Sequence, residues 1–188
     1  MENTQKTLNL NQEFLYLDFG LAQSKTYLLS LSLIAGSILF PYILHHFNLA
    51  GEIFLPIYFF VLIGAYKFGW KAGAITGIFF PLVSFALTSM PILAILPLVI
   101  IKGVLLASAA SFFARKRAGL SLLNLSLIVL SYQAAGFLIV YPLTHNFTLA
   151  TADVVRGYPG LLLQIIGGYI LLKFISGYGR KELETDPK

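Results

Sequence analysis

Residues 91–115 read PILAILPLVIIKGVLLASAASFFAR, an apolar run interrupted by one lysine, Lys102, and closed by Arg115. A bilayer core about 30 Å thick is crossed by about 20 apolar residues at 1.5 Å per residue, so the run reads as a spanning helix that carries a charge within it. Similar runs flank it on both sides. They lie at 70–89, 50–67 and 25–44 toward the N-terminus and at 120–141 and 157–177 toward the C-terminus, bounded by Gly, Pro, Asn or charged residues. Hydrophobic residues make up 57% of the 188-residue chain, charged residues 11%, and mean hydropathy is +0.81. A soluble domain of this length needs more charge to cover its surface. The expected fold is therefore an all-α integral membrane protein, a compact bundle of six transmembrane helices.

The second run is the weakest of the six. Pro56 stands inside it, and its uninterrupted apolar part, Ile53 to Tyr66, reaches only about 21 Å as a helix. A short, kinked or partly displaced helix is expected there.

Orientation follows from lysine and arginine, which are enriched in cytoplasmic loops near span ends. Lys6, Lys25, Lys67, Lys71, Arg115, Lys116, Arg117, Arg180 and Lys181 fall on one side, with Lys173 in the last turns of the final helix. The loops opposite hold His45, His46, Asn48 and Glu52, then the turn at Ser89 to Pro91, then Thr144 to Arg156 with its single arginine. Both termini are expected in the cytoplasm (N-in, C-in). The organisation is a cytoplasmic or interfacial segment at 1–24, a transmembrane domain at 25–178 and a cytoplasmic polar tail at 179–188. Phe14 to Ala22 is apolar enough for the headgroup level, and Glu2, Lys6, Glu13 and Asp18 argue against a signal peptide.

The formal charge of +5 sits at the ends of apolar runs, so it marks topology and gives no basic face for nucleic acid. With no cysteine, disulfides, thiol catalysis and thiolate metal sites drop out. No HExxH, GxSxG or glycine-rich phosphate loop occurs, so no catalytic residue, metal or cofactor is assigned and ATP hydrolysis is not expected of this chain. His45, His46 and Glu52 make a weak metal candidate, because adjacent histidines do not share a helical face.

The polar residues at membrane depth carry the functional reading. Lys102 lies about 16 Å from the outer end of its run, where a centred lysine costs about 2.5–3.5 kcal/mol and needs an anionic or carbonyl partner. That partner is either a ligand carboxylate or phosphate, or a protein group such as Glu52 or Asp153. Gln133 and Gln164 fall at similar depth in the outer half, where they line a common cavity or act as interhelical hydrogen-bond glue. At the outer loops His46, Glu52, Tyr141, Asp153 and Arg156 are candidate ligand contacts, Arg156 foremost because it runs against the charge trend of its side.

Small residues recur at helical spacing: Gly69, Gly73 and Gly77 on the third span, Gly103, Ala107, Ala110 and Ala114 on the fourth, Ser32 and Gly36 on the first. Such stripes serve close helix packing within the bundle or docking of another membrane subunit. No inverted repeat is visible, since the Gly and Pro pattern of Gly69 to Pro91 has no echo after Gly136.

The stretch from Gly51 to Lys116, opening GEIFLPIYFFVLIGAYKFGWKAGAITGIFFPLVSFALTSMPILAILPLVIIKG, resembles the substrate-binding S components of energy-coupling factor (ECF) vitamin transporters, with their Pro-containing second helix and G..fGw..G...G...Pl.s....gmP pattern. The resemblance implies a bundle that takes up a vitamin or precursor from outside under a lid of the first, third and fifth loops. It also implies partners: a transmembrane coupling subunit and two cytoplasmic ATPases, with Ser32 and Gly36 at the docking face and the plasma membrane of a prokaryote as the location. Relatives carry a glutamate where this chain has Lys102, and the reversal points to an anionic substrate. The alternatives are an intramembrane enzyme acting on a lipid or isoprenoid, against which the scarcity of acidic residues in the spans counts, and a ligand-free scaffold, which leaves Lys102 without a task.

Overall fold

The computed structural model describes the backbone of residues 17, 20–46, 56–116 and 119–185, without side chains at 41–46, 56–57 and 177–185. Every element within it is helical: α1 (Ser24–His46), α2 (Pro56–Phe68), α3 (Trp70–Thr88), α4 (Leu96–Lys116), α5 (Leu122–Thr144) and α6 (Phe147–Val155). The last rod starts as α7 (Tyr158–Leu162), passes through a π-helical turn (Leu163–Gly167) and continues as α8 (Gly168–Thr185). Four stretches are long and apolar enough to cross a membrane: Trp70–Thr88, Leu96–Lys116, Leu122–Thr144 and Tyr158–Ser176. Two shorter apolar stretches, Ser24–Phe40 and Tyr58–Phe68, accompany them. The chain is thus compatible with a multi-pass membrane protein.

The short helix α2 lies at the centre. Tyr58, Phe59, Val61, Leu62, Ile63, Ala65 and Tyr66 are all buried, and α2 packs against α1, α3, α4 and α8. The weak second run of the sequence is therefore a core strut of 13 described residues, apolar on every side because neighbours cover every side. Residues 50–55 of the expected span lie outside the described residues.

Glycines set the helix spacing. Gly69 joins α2 to α3 as a single residue at φ 97°, a conformation that a side chain disfavours, and so stands at the junction and not on the α3 stripe. A Cβ on Gly73 would stand 2.4 Å from Ala65 Cβ and 2.8 Å from its Cα, while Gly77 and Gly103 bring the α3 and α4 backbones together. Ala107 and Ala110 are fully buried. The stripes on these two helices pack the bundle internally.

Three boundaries differ from the sequence reading. Helix α4 starts at Leu96 and not at residue 91, because Pro97, which lacks an N–H, suits a first helical turn, and residues 92–95 form a turn with Ile95 and Leu96 donating to the Ile92 carbonyl. Helix α5 is capped by Ser121, whose hydroxyl accepts from the Asn124 N–H, and runs on to Thr144. The segment between α5 and α7 forms the helix α6, capped by Asn146 accepting from the Leu149 N–H. Lys67 also departs from expectation: it is buried at the end of α2, not solvated, and its carbonyl accepts from the Leu17 N–H at 2.8 Å.

Gly73→Val should therefore destabilise the bundle, at or above the top of the roughly 1–3 kcal/mol that overpacking costs, because the obstacle includes Ala65 backbone. Thermal unfolding of the purified protein in detergent measures this. Phe79→Ala, at an exposed α3 position, is the control and should leave the midpoint nearly unmoved.

Candidate functional site

Two polar groupings meet in the bundle. The first joins α4 to α6: Lys102 Nζ donates to Asp153 Oδ2 at 2.7 Å, with the two side chains 5% and 18% exposed. Because α4 starts at Leu96, Lys102 lies only about 9 Å along the helix, shallower than the sequence reading placed it. Its aliphatic stem crosses Gly136 of α5, where a Cβ would stand 3.3 Å from Lys102 Cε. Of the two protein carboxylates considered from the sequence, Asp153 takes the ammonium. Glu52 lies outside the described residues.

The second grouping joins α5 to the π-helical turn. Gln133 Nε2 donates to the Tyr132 hydroxyl at 3.1 Å, and that hydroxyl donates to Gln164 Oε1 at 3.1 Å. All three side chains are buried, Gln164 completely. Among the described residues Gln164 Nε2 has no hydrogen-bond partner, and the oxygen of Gln133 accepts no bond. Tyr58 of α2 packs on Tyr132 with ring centroids 5.8 Å apart. Gly136, which the Lys102 stem crosses, stands one turn from Tyr132 and Gln133 on α5, which sets the ion pair and the amide relay next to each other along that helix.

The π turn gives this cluster its shape. A π-helical turn inserts one residue into the helical register and often marks a functional site. Here it carries Gln164 inward between α2 and α5, while Gly167 and Gly168 let the rod press on α2: a Cβ at Gly167 would meet Phe59 at 3.3 Å, and one at Gly168 would meet Leu62 at 3.2 Å.

The other candidates are dispersed. Tyr141 is exposed and stacks on Phe137 at 5.5 Å, with Phe147 edge-on to both. Arg156 is exposed at the end of α6, and its side chain forms no hydrogen bond or ion pair among the described residues. His46 ends α1 and its side chain lies outside the described residues, as does that of His45. Ser32 is exposed with its hydroxyl bonded back to the Leu28 carbonyl at 3.0 Å, whereas Gly36 faces inward, where a Cβ would meet Phe60 at 2.8 Å. Among the described residues no three His, Asp or Glu side chains gather as a metal set.

Sequence reasoning singled out Lys102, Asp153, Gln133 and Gln164 but missed Tyr132, Tyr58 and Gly136. Tyrosines belong at membrane interfaces, so one twelve residues from the C-terminal end of α5 was a signal available in the sequence. No family model, no curated protein and no solved structure matches the chain.

Removing one member of the ion pair should cost about 3–5 kcal/mol and removing both should cost less, because a single deletion leaves a buried charge without its partner. Asp153→Leu should be the worse single change, since the ammonium is the deeper group and the carboxylate can turn toward solvent. Unfolding midpoints of Lys102→Met, Asp153→Leu and the double variant test this ordering.

Proposed function

We propose that this chain is the membrane-embedded binding subunit of an uptake system for a small water-soluble nutrient, a vitamin or vitamin precursor. The observation that carries the reading is the buried polar neighbourhood of Lys102, Asp153, Tyr132, Gln133 and Gln164 inside an otherwise apolar bundle. In hydrocarbon such groups are costly, and they concentrate where a solute is bound. The cluster gathers Lys102 near the start of α4, Gln164 in the π turn that follows α7, and Tyr132 and Gln133 at the middle of α5, and the likeness of residues 51–116 to ECF S components favours the same reading.

In this proposal α1 and α2 complete six crossings, both termini are cytoplasmic, and Lys25, Lys71, Arg115 and Lys116 mark the inner side of a prokaryotic plasma membrane. Helix α6 then covers the outer mouth, held by Asp153. A single bundle without internal symmetry has no two halves to rock against each other, so an outside partner must reorient it. That partner is a transmembrane coupling subunit with two cytoplasmic ATPases, docked on the lipid-facing side of α1 around Ser32.

Purified protein screened against water-soluble vitamins and precursors should show a rise in melting temperature with one chemical family and not with the rest. A flat response across the panel, with the protein folded, would remove the binding role. Reporter fusions test the topology: a periplasmically active reporter should stay silent at both termini and be active after residue 146.

A further inference from the structure

We infer that the bound ligand carries no net charge at this site and presents an amide-type edge, a carbonyl acceptor beside an N–H donor, to Gln164 and Gln133. The inference rests on the binding reading above and narrows its substrate class.

Charge balance comes first. Lys102 is already neutralised by Asp153 at 2.7 Å, in a pair whose side chains are mostly buried. An anion arriving at Lys102 would either evict Asp153 or set two negative groups beside one ammonium, and a cation at Asp153 would meet the mirror problem. In a medium of low dielectric both arrangements are penalised, since an unpaired buried charge is strongly destabilising. Arg156, the other cation of this region, is exposed. The site therefore has no spare buried charge to offer among the described residues.

What it does have is unused amide chemistry. A neutral carboxamide has two N–H donors and a carbonyl oxygen. Tyr132 has a single proton, which goes to Gln164 Oε1, and it accepts from Gln133 Nε2. This direction of the relay leaves a donor, Gln164 Nε2, and an acceptor, Gln133 Oε1, on two amides tied to the same hydroxyl. Gln164 is completely buried, so its free N–H has no recourse to bulk water. A lactam, ureide or carboxamide supplies the complement to both.

Three matched pairs differing in charge make the test: nicotinamide against nicotinate, biotinamide against biotin, and riboflavin against its 5′-phosphate. Each is titrated by calorimetry into the full chain in lipid nanodiscs. In the pair that binds, the neutral member should be tighter by about tenfold or more, and Gln164→Leu should weaken it by about tenfold. Gln164→Glu, which replaces the free donor by an acceptor at equal size, should do the same and carries the comparison if the leucine variant does not fold. Tighter binding of the charged member would overturn the inference and leave the binding role standing. So would neutral-member affinity unmoved in a Gln164 variant whose ligand-free melting temperature matches the parent. No binding by any of the six would overturn the inference and the proposed function together.

Discussion

The contact between Lys102 Nζ and Asp153 Oδ2 constrains the end of the bundle that carries α6. Hydrocarbon offers no water to an ammonium, so a lysine inside a span must find an anion within the protein or be carried to the surface. Here the anion comes from α6, a nine-residue helix otherwise held by buried Ala150 and by Phe147 against Phe137 and Tyr141 of α5. The ion pair thus ties this short helix to α4, and Gly136 makes it possible by leaving room for the lysine stem to cross α5. A side chain at 136 would displace that stem and with it the charge that seats α6.

Below this level the bundle depends on backbone proximity. Gly73 against Ala65 and Gly77 against Gly103 bring α2, α3 and α4 into contact through main chain, the arrangement that dispersion favours where lipid is as apolar as the helices themselves. The result is a rigid inner group with the 13-residue α2 in its middle. Further ties close it at the end bearing Lys71 and Arg115, where the Tyr66 hydroxyl and the Asn124 amide both donate to the Gly119 carbonyl and the Leu17 N–H reaches Lys67. The polar neighbourhood sits at the other end, between this group and the rod formed by α7, the π turn and α8.

The all-helical class and the four runs long enough to cross a membrane were legible in the sequence, because length is a one-dimensional property. The small-residue stripes were legible for the same reason, but their partners were not: nothing in the spacing of Gly73 says that Ala65 faces it. Lys102 announced itself through cost, yet choosing between Asp153 and a ligand as its counter-ion needed three-dimensional placement. The start of α4 was misjudged because Pro91 and Pro97 are both compatible with a helix N-terminus, and only the hydrogen bonds to Ile92 decide between them. The burial of Lys67 comes from packing at the α2–α3 junction, which leaves no trace in local sequence.

The π turn at Leu163–Gly167 joins these threads. A regular α-helix through residues 158–185 would satisfy its backbone more economically, and the extra residue is retained only where the surroundings fix it. Two features of the rod do so: the adjacent glycines at 167 and 168, which remove Cβ atoms that would strike Phe59 and Leu62, and the bond from Tyr132 to Gln164, which holds the displaced side chain inward. If Gln164 were merely glue between helices, both ends of its amide would be engaged, since a buried unmatched donor costs about 1–3 kcal/mol. One end is not. A stabilising contact has thus been left incomplete at the one π-helical turn among the described residues, next to the ring pair of Tyr58 and Tyr132.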